Sequence, residues 1–519
     1  MQPIFSTSNI KKIEVAAAKA MGIPMFELML RAGQAAFDLL QKQWPQAKQV
    51  FVVTGSGNNA GDGLILAELA QAAGYHVTLV ALRDYGQLTH DAQLAWQRVQ
   101  PLNLPIISLE DADFSAAEVI VDAILGTGFQ GSLSEPYQQA IERINQAVEF
   151  GQVSVLALDI ASGVYADTGL CADTVINAEH TISFIFLKLA QVMNDSLAYQ
   201  GQLHLARLGV EQSQFYGEKP SLWQHSLEDV MPLIPRRKAT TYKNQCGHVL
   251  CVGGNHDMGG AILLSAETAL KSGAGMVTCH THSDNRSAGF ARCPEIMWRG
   301  NSIGGGTAEL IEQQFQALIL GPGLGRDNSE GELSWGQQQY EYYSKALQTG
   351  SLKAVIDADG LYWLAKQPLY FKPSQVVLTP HIGEAARLLS CESAMIDKDN
   401  STIDDLCKHD ISKDRLAAAK KIALKYGAVC LLKGAGTIIS DGQSTVVTAG
   451  AHPAMASAGL GDVLSGLIGA LLAQGLNAWD AACLAANIHF QAGIIAAQGR
   501  TRGMVASELI EPINQLLNQ

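Results

Sequence analysis

Charge is scarce in this chain. Only 16% of its 519 residues are charged, and the acidic excess gives a net charge of −13. A surface of that sign repels phosphate backbones and anionic lipid, which excludes nonspecific nucleic-acid or membrane-surface binding. No two of the nine cysteines form a C-x-x-C pair. An odd, dispersed set reads as reduced, buried thiols, not a disulfide framework or a metal site, and implies a cytoplasmic setting. The first residues, MQPIFSTSNIKKIE, contain no apolar core, so no signal peptide is expected. The most apolar later stretch, Val463 to Leu476, is too short to span a bilayer and runs into Asn477 and Asp480. It reads as a buried helix. There is no sequence repeat and no low-complexity tract.

The length favours two or more domains, and 47% apolar content supplies their cores. Apolar runs alternate with helix-like stretches: strands are expected at Gln49–Val53, His76–Leu82, Glu118–Leu125 and Val153–Leu158, with a helix at Gly61–Ala73. Such runs imply parallel sheets covered on both faces. The pattern breaks from Val210 to Tyr242, where prolines and charges show no clean period. It restarts with strands at Gly247–Val252, Met276–His280, Ala317–Leu320, Ala354–Asp357, Val376–Leu378, Val429–Leu432 and Thr445–Thr448. Helices are expected at Gly260–Ser272, Asp462–Ala473 and Ala481–Gln498. The implied organisation is an N-terminal domain over 1–215, a linker over 216–240 and a larger α/β domain over 241–519.

After the first of these strands comes GSGNNAGDG, residues 55–63. Its glycines fall as G-x-G-x-x-x-G, one residue longer than the dinucleotide fingerprint, even though Asp84 stands where a ribose-binding acid would. Either the loop is a plain Asn/Gly/Asp turn, or Asn58, Asn59 and Asp62 offer side chains to a ligand at a strand's C-terminal end. Two further loops converge there. VDAILGTGFQGS embeds Asp122 in an apolar run, where a carboxylate needs a partner or a cation, and LALDIASGV ends a strand with Asp159 and Ser162.

NNAGDG, VDAILGTG and DIASGVYADTG resemble the N-terminal domain of bifunctional NAD(P)H-hydrate repair enzymes, over most of residues 1–215. The resemblance implies a Rossmann-like three-layer domain that interconverts the R and S forms of hydrated NADH and NADPH. It implies a hydrate site lined by Asn58, Asn59, Ala60, Gly61 and Asp62, by Gly126, Thr127, Gly128, Phe129, Gln130, Gly131 and Ser132, and by Asp159. Asn59, Asp122 and Ser162 would hold a potassium ion. This chain departs from the family at Ala60, where glycine is usual, and at Ala161, where proline is usual. Alanine at 60 would be restrictive if that position needs positive φ. SFIFLKLAQ lacks the family's following Pro-Gly; its Lys188 is a candidate for acid/base work or a snorkelling surface lysine.

In the second half, ASAGLGDVLSG places Asp462 among Gly459, Gly461 and Gly466 at the start of an apolar helix. Amides at a helix start suit a phosphate, and a carboxylate beside them can take a proton from an attacking hydroxyl; the plain alternative is a helix cap. Lys433 ends a strand and is followed by Gly434, Ala435, Gly436 and Thr437, which suits nucleotide phosphates or is simply a turn. His381 precedes Gly383 and Glu384, as a ligand contact or as a cap. With PGLG, PHIGEAARLL and HVLCVGGNHDMGGAILLSAETALKSGAG, these segments resemble the ribokinase-like NAD(P)H-hydrate dehydratases over residues 230–515. That implies removal of water from the S-hydrate driven by ADP with Mg²⁺, giving NAD(P)H, AMP and phosphate. Ala261, Gly323, His381 and Asp462 would contact the hydrate, Lys433 to Thr437 and Gly461 the adenine nucleotide, and Asp462 would be the general base. The resemblance also implies self-association, while the acidic charge and the short apolar runs imply no nucleic-acid or membrane partner. Two rivals share some of these loops: a ribokinase-type small-molecule kinase with a binding-only N-terminal domain, and a nonenzymatic nucleotide sensor.

Overall fold

Strand Gln49–Thr54 (QVFVVT) shows how the first sheet is built. Val50 and Val52 enter one buried cluster, while Phe51 and Val53 enter another, because successive side chains on a strand point to opposite faces. A strand with no polar face has to be covered on both sides. The computed structural model describes residues 1–151, 153–300, 308–326, 334–349, 352–372, 374–390, 410–448 and 450–519. They divide into two units, Gln2–Trp223 and Gln224–Gln519 with Met1. No helix of the described residues is long and apolar enough to cross a membrane, and the seven described cysteines are all free.

The first unit has strands β1 (Gln2–Phe5), β2 (Gln49–Thr54), β3 (His76–Ala81), β4 (Ile106–Ile107), β5 (Val119–Ala123), β6 (Ser154–Leu158), β7 (His180–Phe184), β8 (Leu187–Lys188) and β9 (Gln202–Ala206). Seven of them form a parallel sheet in the order β4-β3-β2-β5-β6-β7-β9, and β1 pairs with β8. Helices α1 (Thr7–Met21), α2 (Met25–Gln43) and α3 (Asn58–Ala72) supply apolar side chains to the face shared by Val50 and Val52. The strand order reverses between β2 and β5, and ligands of such sheets bind outside the strand ends at that reversal. The expected three-layer architecture is present.

The stretch expected as a linker contains strand β10 (Leu222–His225) and a short helix, Leu227–Val230, closed by a Ser226–Asp229 capping box. Beyond it, the second unit has β11 (His248–Val252), β12 (Met276–Thr281), β13 (Met297–Gly300), β14 (Ala317–Leu320), β15 (Lys353–Ile356), β16 (Val376–Leu378), β17 (Val429–Leu432), β18 (Ile438–Ser440) and β19 (Thr445–Thr448). Their order is β13-β12-β11-β14-β15-β16-β17-β18-β19, parallel as far as β17 and antiparallel for the last two pairings. Four helices matter for its site: α4 (Gly259–Lys271), α5 (Ile382–Ser390), α6 (Arg415–Tyr426) and α7 (Leu460–Ala473). Helix α7 is apolar all round, as the sequence implied, and packs closely on α4: a Cβ at Gly466 would meet Ser265 O at 2.3 Å.

Candidate active sites

In the first unit, the ends of β2, β5 and β6 open onto a cavity of about 620 Å³. Asn58, Asn59, Asp62, Gly126, Thr127, Gly128, Phe129 and Asp159 line it. Helix α3 begins at Asn58, three residues before the expected start, so Asn58, Asn59 and Asp62 stand on its first turns. That places Ala60 at ordinary helical φ, where alanine carries no strain. Ala60 and Gly61 are buried against neighbouring structure, with Gly61 packed on Met29. Gln130, Gly131 and Ser132 are likewise not among the lining residues; Tyr165 donates its hydroxyl to Gly131 O at 2.6 Å and stacks on Phe129. Asp84 caps its own turn by accepting from Gly86 N at 2.8 Å.

Asp122 lies beneath the glycine loop, fully enclosed. It accepts from Ile124 N at 3.2 Å, Ser162 N at 2.8 Å and Ser162 Oγ at 2.6 Å. Burial pushes its carboxyl up to about 6, against the pull of the Ser162 and Ile124 hydrogen bonds. Ser162 also touches Leu125, whose carbonyl accepts from Asn59 Nδ2 at 2.9 Å. Asn59 Oδ1 is buried with no hydrogen-bond partner. An orphaned amide oxygen beside a carboxylate, a hydroxyl and a carbonyl is an all-oxygen donor set, the kind a hard cation takes.

Lys188 is buried, which rules out the snorkelling alternative. Its ammonium donates to Asp159, to Ser183 Oγ at 2.9 Å and to Phe184 O at 3.2 Å. Asp159 adopts a left-handed φ of 62°, its backbone held by Ile182 O and by Gln191 Nε2. Asp62, Glu14 and Asp91 also line the cavity. Asp62 is pushed well above the usual carboxylate range by burial and by Asp159 and Glu14. Glu14 is pushed to about 7 by burial and Asp159. Sequence reading missed Glu14: nothing in TSNIKKIEVAAAKAM says that this helix reaches a pocket formed by distant loops.

In the second unit, Lys433 at the end of β17 donates to the enclosed Asp357 at 2.9 Å and lies 3.8 Å from Glu384. Ser465 donates to the other Asp357 oxygen at 2.6 Å. Burial works against the Asp357 charge, but Lys433, Ser465 and Thr379 outweigh it and hold the carboxyl below its usual range. Gly461 adjoins this pair, since a Cβ there would lie 3.4 Å from Lys433 Nζ. Helix α7 starts from Gly459 at a φ of 87°, with no side chain capping its first amides. Asp462 stands in that first turn, pushed to about 7 by burial and Asp357, with Lys433 pulling the other way. The cap alternative for Asp462 therefore does not hold.

The loop 433–437 is held from behind by buried Arg415, on α6, which donates to Ala435 O at 2.7 Å and Gly436 O at 2.9 Å. Thr437 donates back to Gly434 O at 3.4 Å. Gly323 and Ala261 adjoin one another, with 3.3 Å from a Cβ at 323 to that of Ala261. His381 Nδ1 accepts from Gly383 N at 3.0 Å, so it caps α5; burial, then Lys433, lowers its proton affinity. Asp357, Glu384, Ser465 and Arg415 were not singled out from the sequence.

Residues 249–515 match the family model described as NAD(P)H-hydrate dehydratase, and residues 25–190 match that described as YjeF-related protein N-terminus. The bifunctional NAD(P)H-hydrate repair enzyme Nnr of Vibrio cholerae is 37% identical over 518 residues, covering 99% of this chain and 98% of that protein. Its Escherichia coli namesake is 36% identical over 521 residues, covering 99% of this chain and 94% of that protein. Among solved structures, the ADP/ATP-dependent NAD(P)H-hydrate dehydratase from Bacillus subtilis, co-crystallised with ATP/Mg²⁺, aligns at 24% identity. Its TM-score is 0.47, over 57% of this chain and 98% of that one.

Proposed function

Because this chain belongs to the bifunctional NAD(P)H-hydrate repair enzymes, we propose a division of labour between its two sites. The first unit epimerises the R and S forms of hydrated NADH and NADPH. The second dehydrates the S form, which restores the reduced nicotinamide. Relatives named bifunctional match across both halves, so the kinase with a binding-only N-terminal domain is not retained.

In the dehydratase site, Asp462 takes the proton of the hydrate's C6 hydroxyl as that oxygen attacks the β-phosphorus of ADP. Phosphorylation replaces hydroxide, a poor leaving group, with phosphate. The ring nitrogen's lone pair then expels phosphate, and loss of a neighbouring proton completes the double bond. Lys433, the 434–437 turn, Gly461 and the uncapped amides of α7 carry the nucleotide's negative charge. Mg²⁺, when bound with ADP, neutralises part of that charge. Ala261, Gly323 and His381 bound the hydrate. The observation that carries this reading is the Asp462 carboxyl in the uncapped first turn of α7, next to Gly461, which adjoins Lys433.

In the epimerase site, Asp159 faces the hydrate with its charge held by Lys188, and Asn58, Asp62 and the 126–129 loop orient it. Asn59, Asp122 and Ser162 would hold a potassium ion, which stiffens the junction of the two loops when bound. Its support is the unpartnered Asn59 Oδ1.

The test is to supply mixed R- and S-hydrates with ADP and follow reduced nicotinamide. Full recovery, faster than spontaneous epimerisation allows, is expected. Recovery that halts at the S fraction overturns the epimerase assignment, and a stable phosphorylated product overturns the dehydratase assignment.

A further inference from the structure

Epimerisation at a hydroxyl-bearing carbon needs a group that gives a proton and a group that takes one. Lys188 does not fill the first role. Its ammonium has three N–H donors, and Asp159, Ser183 and Phe184 take them. The ion pair with Lys188 fixes the Asp159 carboxylate on the cavity wall, where it can accept a proton. The donor must come from elsewhere in the cavity.

Helix α1 turns one face toward the cavity, with Thr7, Ile10, Lys11, Glu14 and Val15 at helical spacing. The α2 residues opposite, Met25, Leu28, Met29 and Ala32, are apolar. Glu14 is half-buried between those apolar side chains and the polar loops. The charged groups around it are Lys11 on its own helix, Asp62 on α3, Asp159 after β6 and Lys188 on β8, with Asp91 also on the cavity wall. Glu14, Asp62 and Asp159 thus lie together beside a single buried ammonium, and that ammonium is committed to Asp159. Like charges so placed do not all ionise together.

We propose that Glu14 is a further catalytic residue of the epimerase site, the proton donor that works with Asp159 on the hydrate's C6 hydroxyl. The proposal rests on the epimerase reading above. Carbon C6 bears both the hydroxyl and the ring nitrogen, so it is a hemiaminal carbon. The nitrogen lone pair forms a C6=N bond as the C6–O bond breaks. The C6–O electron pair stays on oxygen, which takes the Glu14 proton and leaves as water. The cation is planar at C6. Water then adds to the opposite face, the C=N π pair returns to nitrogen, and the added water's extra proton passes to Asp159. Proton return from Asp159 to Glu14 through solvent resets the site, and the reverse reaction exchanges the two roles. Asp62 stands with Asn58 on the first turns of α3, among the groups that orient the hydrate, whereas Glu14 comes from α1, a separate wall of the cavity.

The experiment isolates the S-hydrate and follows appearance of the R form by chromatography, in the full chain without ADP. Wild-type epimerisation is expected to decline above about pH 7 as Glu14 loses its proton. Glu14→Gln should lower kcat about 100-fold with KM little changed, and should remove that alkaline decline. Glu14→Asp should restore part of both. A thermal melt of the first unit at the wild-type temperature, with the partial rescue by Glu14→Asp, reports that this unit is folded. Wild-type kcat in Glu14→Gln, or a loss confined to KM with the alkaline decline intact, overturns the assignment. A wild-type chain that epimerises no faster than buffer overturns instead the reading on which it rests, and the proposal with it.

Discussion

Lys433 Nζ donates to Asp357 Oδ1 at 2.9 Å, and Asp357 is almost wholly enclosed. Removing one partner of such a pair strands a charge away from water, at a cost of about 3–5 kcal/mol. Lys433→Met should therefore lower the melting temperature of the second unit as well as raise KM for ADP. Calorimetry alongside steady-state kinetics separates the two effects. A variant that melts with wild type and changes only KM would show that Lys433 serves the nucleotide alone.

The Asp462 carboxyl, raised to about 7, must be deprotonated to act as a base. Dehydration should accordingly rise with pH through about 7 and level off above it. Asp462→Asn should lose about 100-fold or more in kcat on the alkaline plateau, a gap that narrows on acidification. A flat profile in wild type contradicts the role.

Much of the fold was legible because its central strands are continuous apolar runs. Strands β2, β14, β16, β17 and β19 fall within a residue of expectation. Strand β7 was not read, because HTISF looks polar. Its polar side chains are buried through specific partners: Thr181 donates to Gln200 O at 2.7 Å, Ser183 to Gln191 at 3.0 Å, and His180 meets His204 at 2.9 Å. Such partners are distant or directional and leave no period in a sequence. The site divides the same way. Asp122, Asp159 and Asp462 were visible as carboxylates in apolar or glycine-rich settings. Glu14 and Arg415 sit in ordinary helix sequence, and only the fold brings them to their loops.

The unpartnered Asn59 Oδ1 leads to an ion prediction. Potassium should stabilise the first unit by RT ln(1 + [K⁺]/Kd), about 1.4 kcal/mol at ten times Kd. Thermal melts in potassium against a bulky organic cation test this. Asn59→Ala should abolish the difference; equal melting of wild type in both salts contradicts the site.

Asp122 gives a linkage prediction. Its folded-state value, about 6, lies above the ordinary carboxylate range, so folding favours the protonated form. That contribution is complete below the unfolded value and is lost as pH rises through about 6. Wild type should therefore gain stability relative to Asp122→Asn on acidification from pH 8 to pH 5, in the absence of potassium. Chemical denaturation at several pH values measures the difference. A gap that widens in the opposite direction contradicts the assignment.

The most direct test of two independent sites uses one substrate mixture and two variants. R- and S-hydrates with ADP are given to Asp462→Asn and to Asp159→Asn, and both epimers and reduced nicotinamide are followed together. The account predicts that Asp462→Asn keeps interconverting the epimers but forms no reduced nicotinamide. It predicts that Asp159→Asn consumes the S form at the wild-type rate and then slows to the pace of spontaneous epimerisation. Loss of both activities in either variant would contradict it.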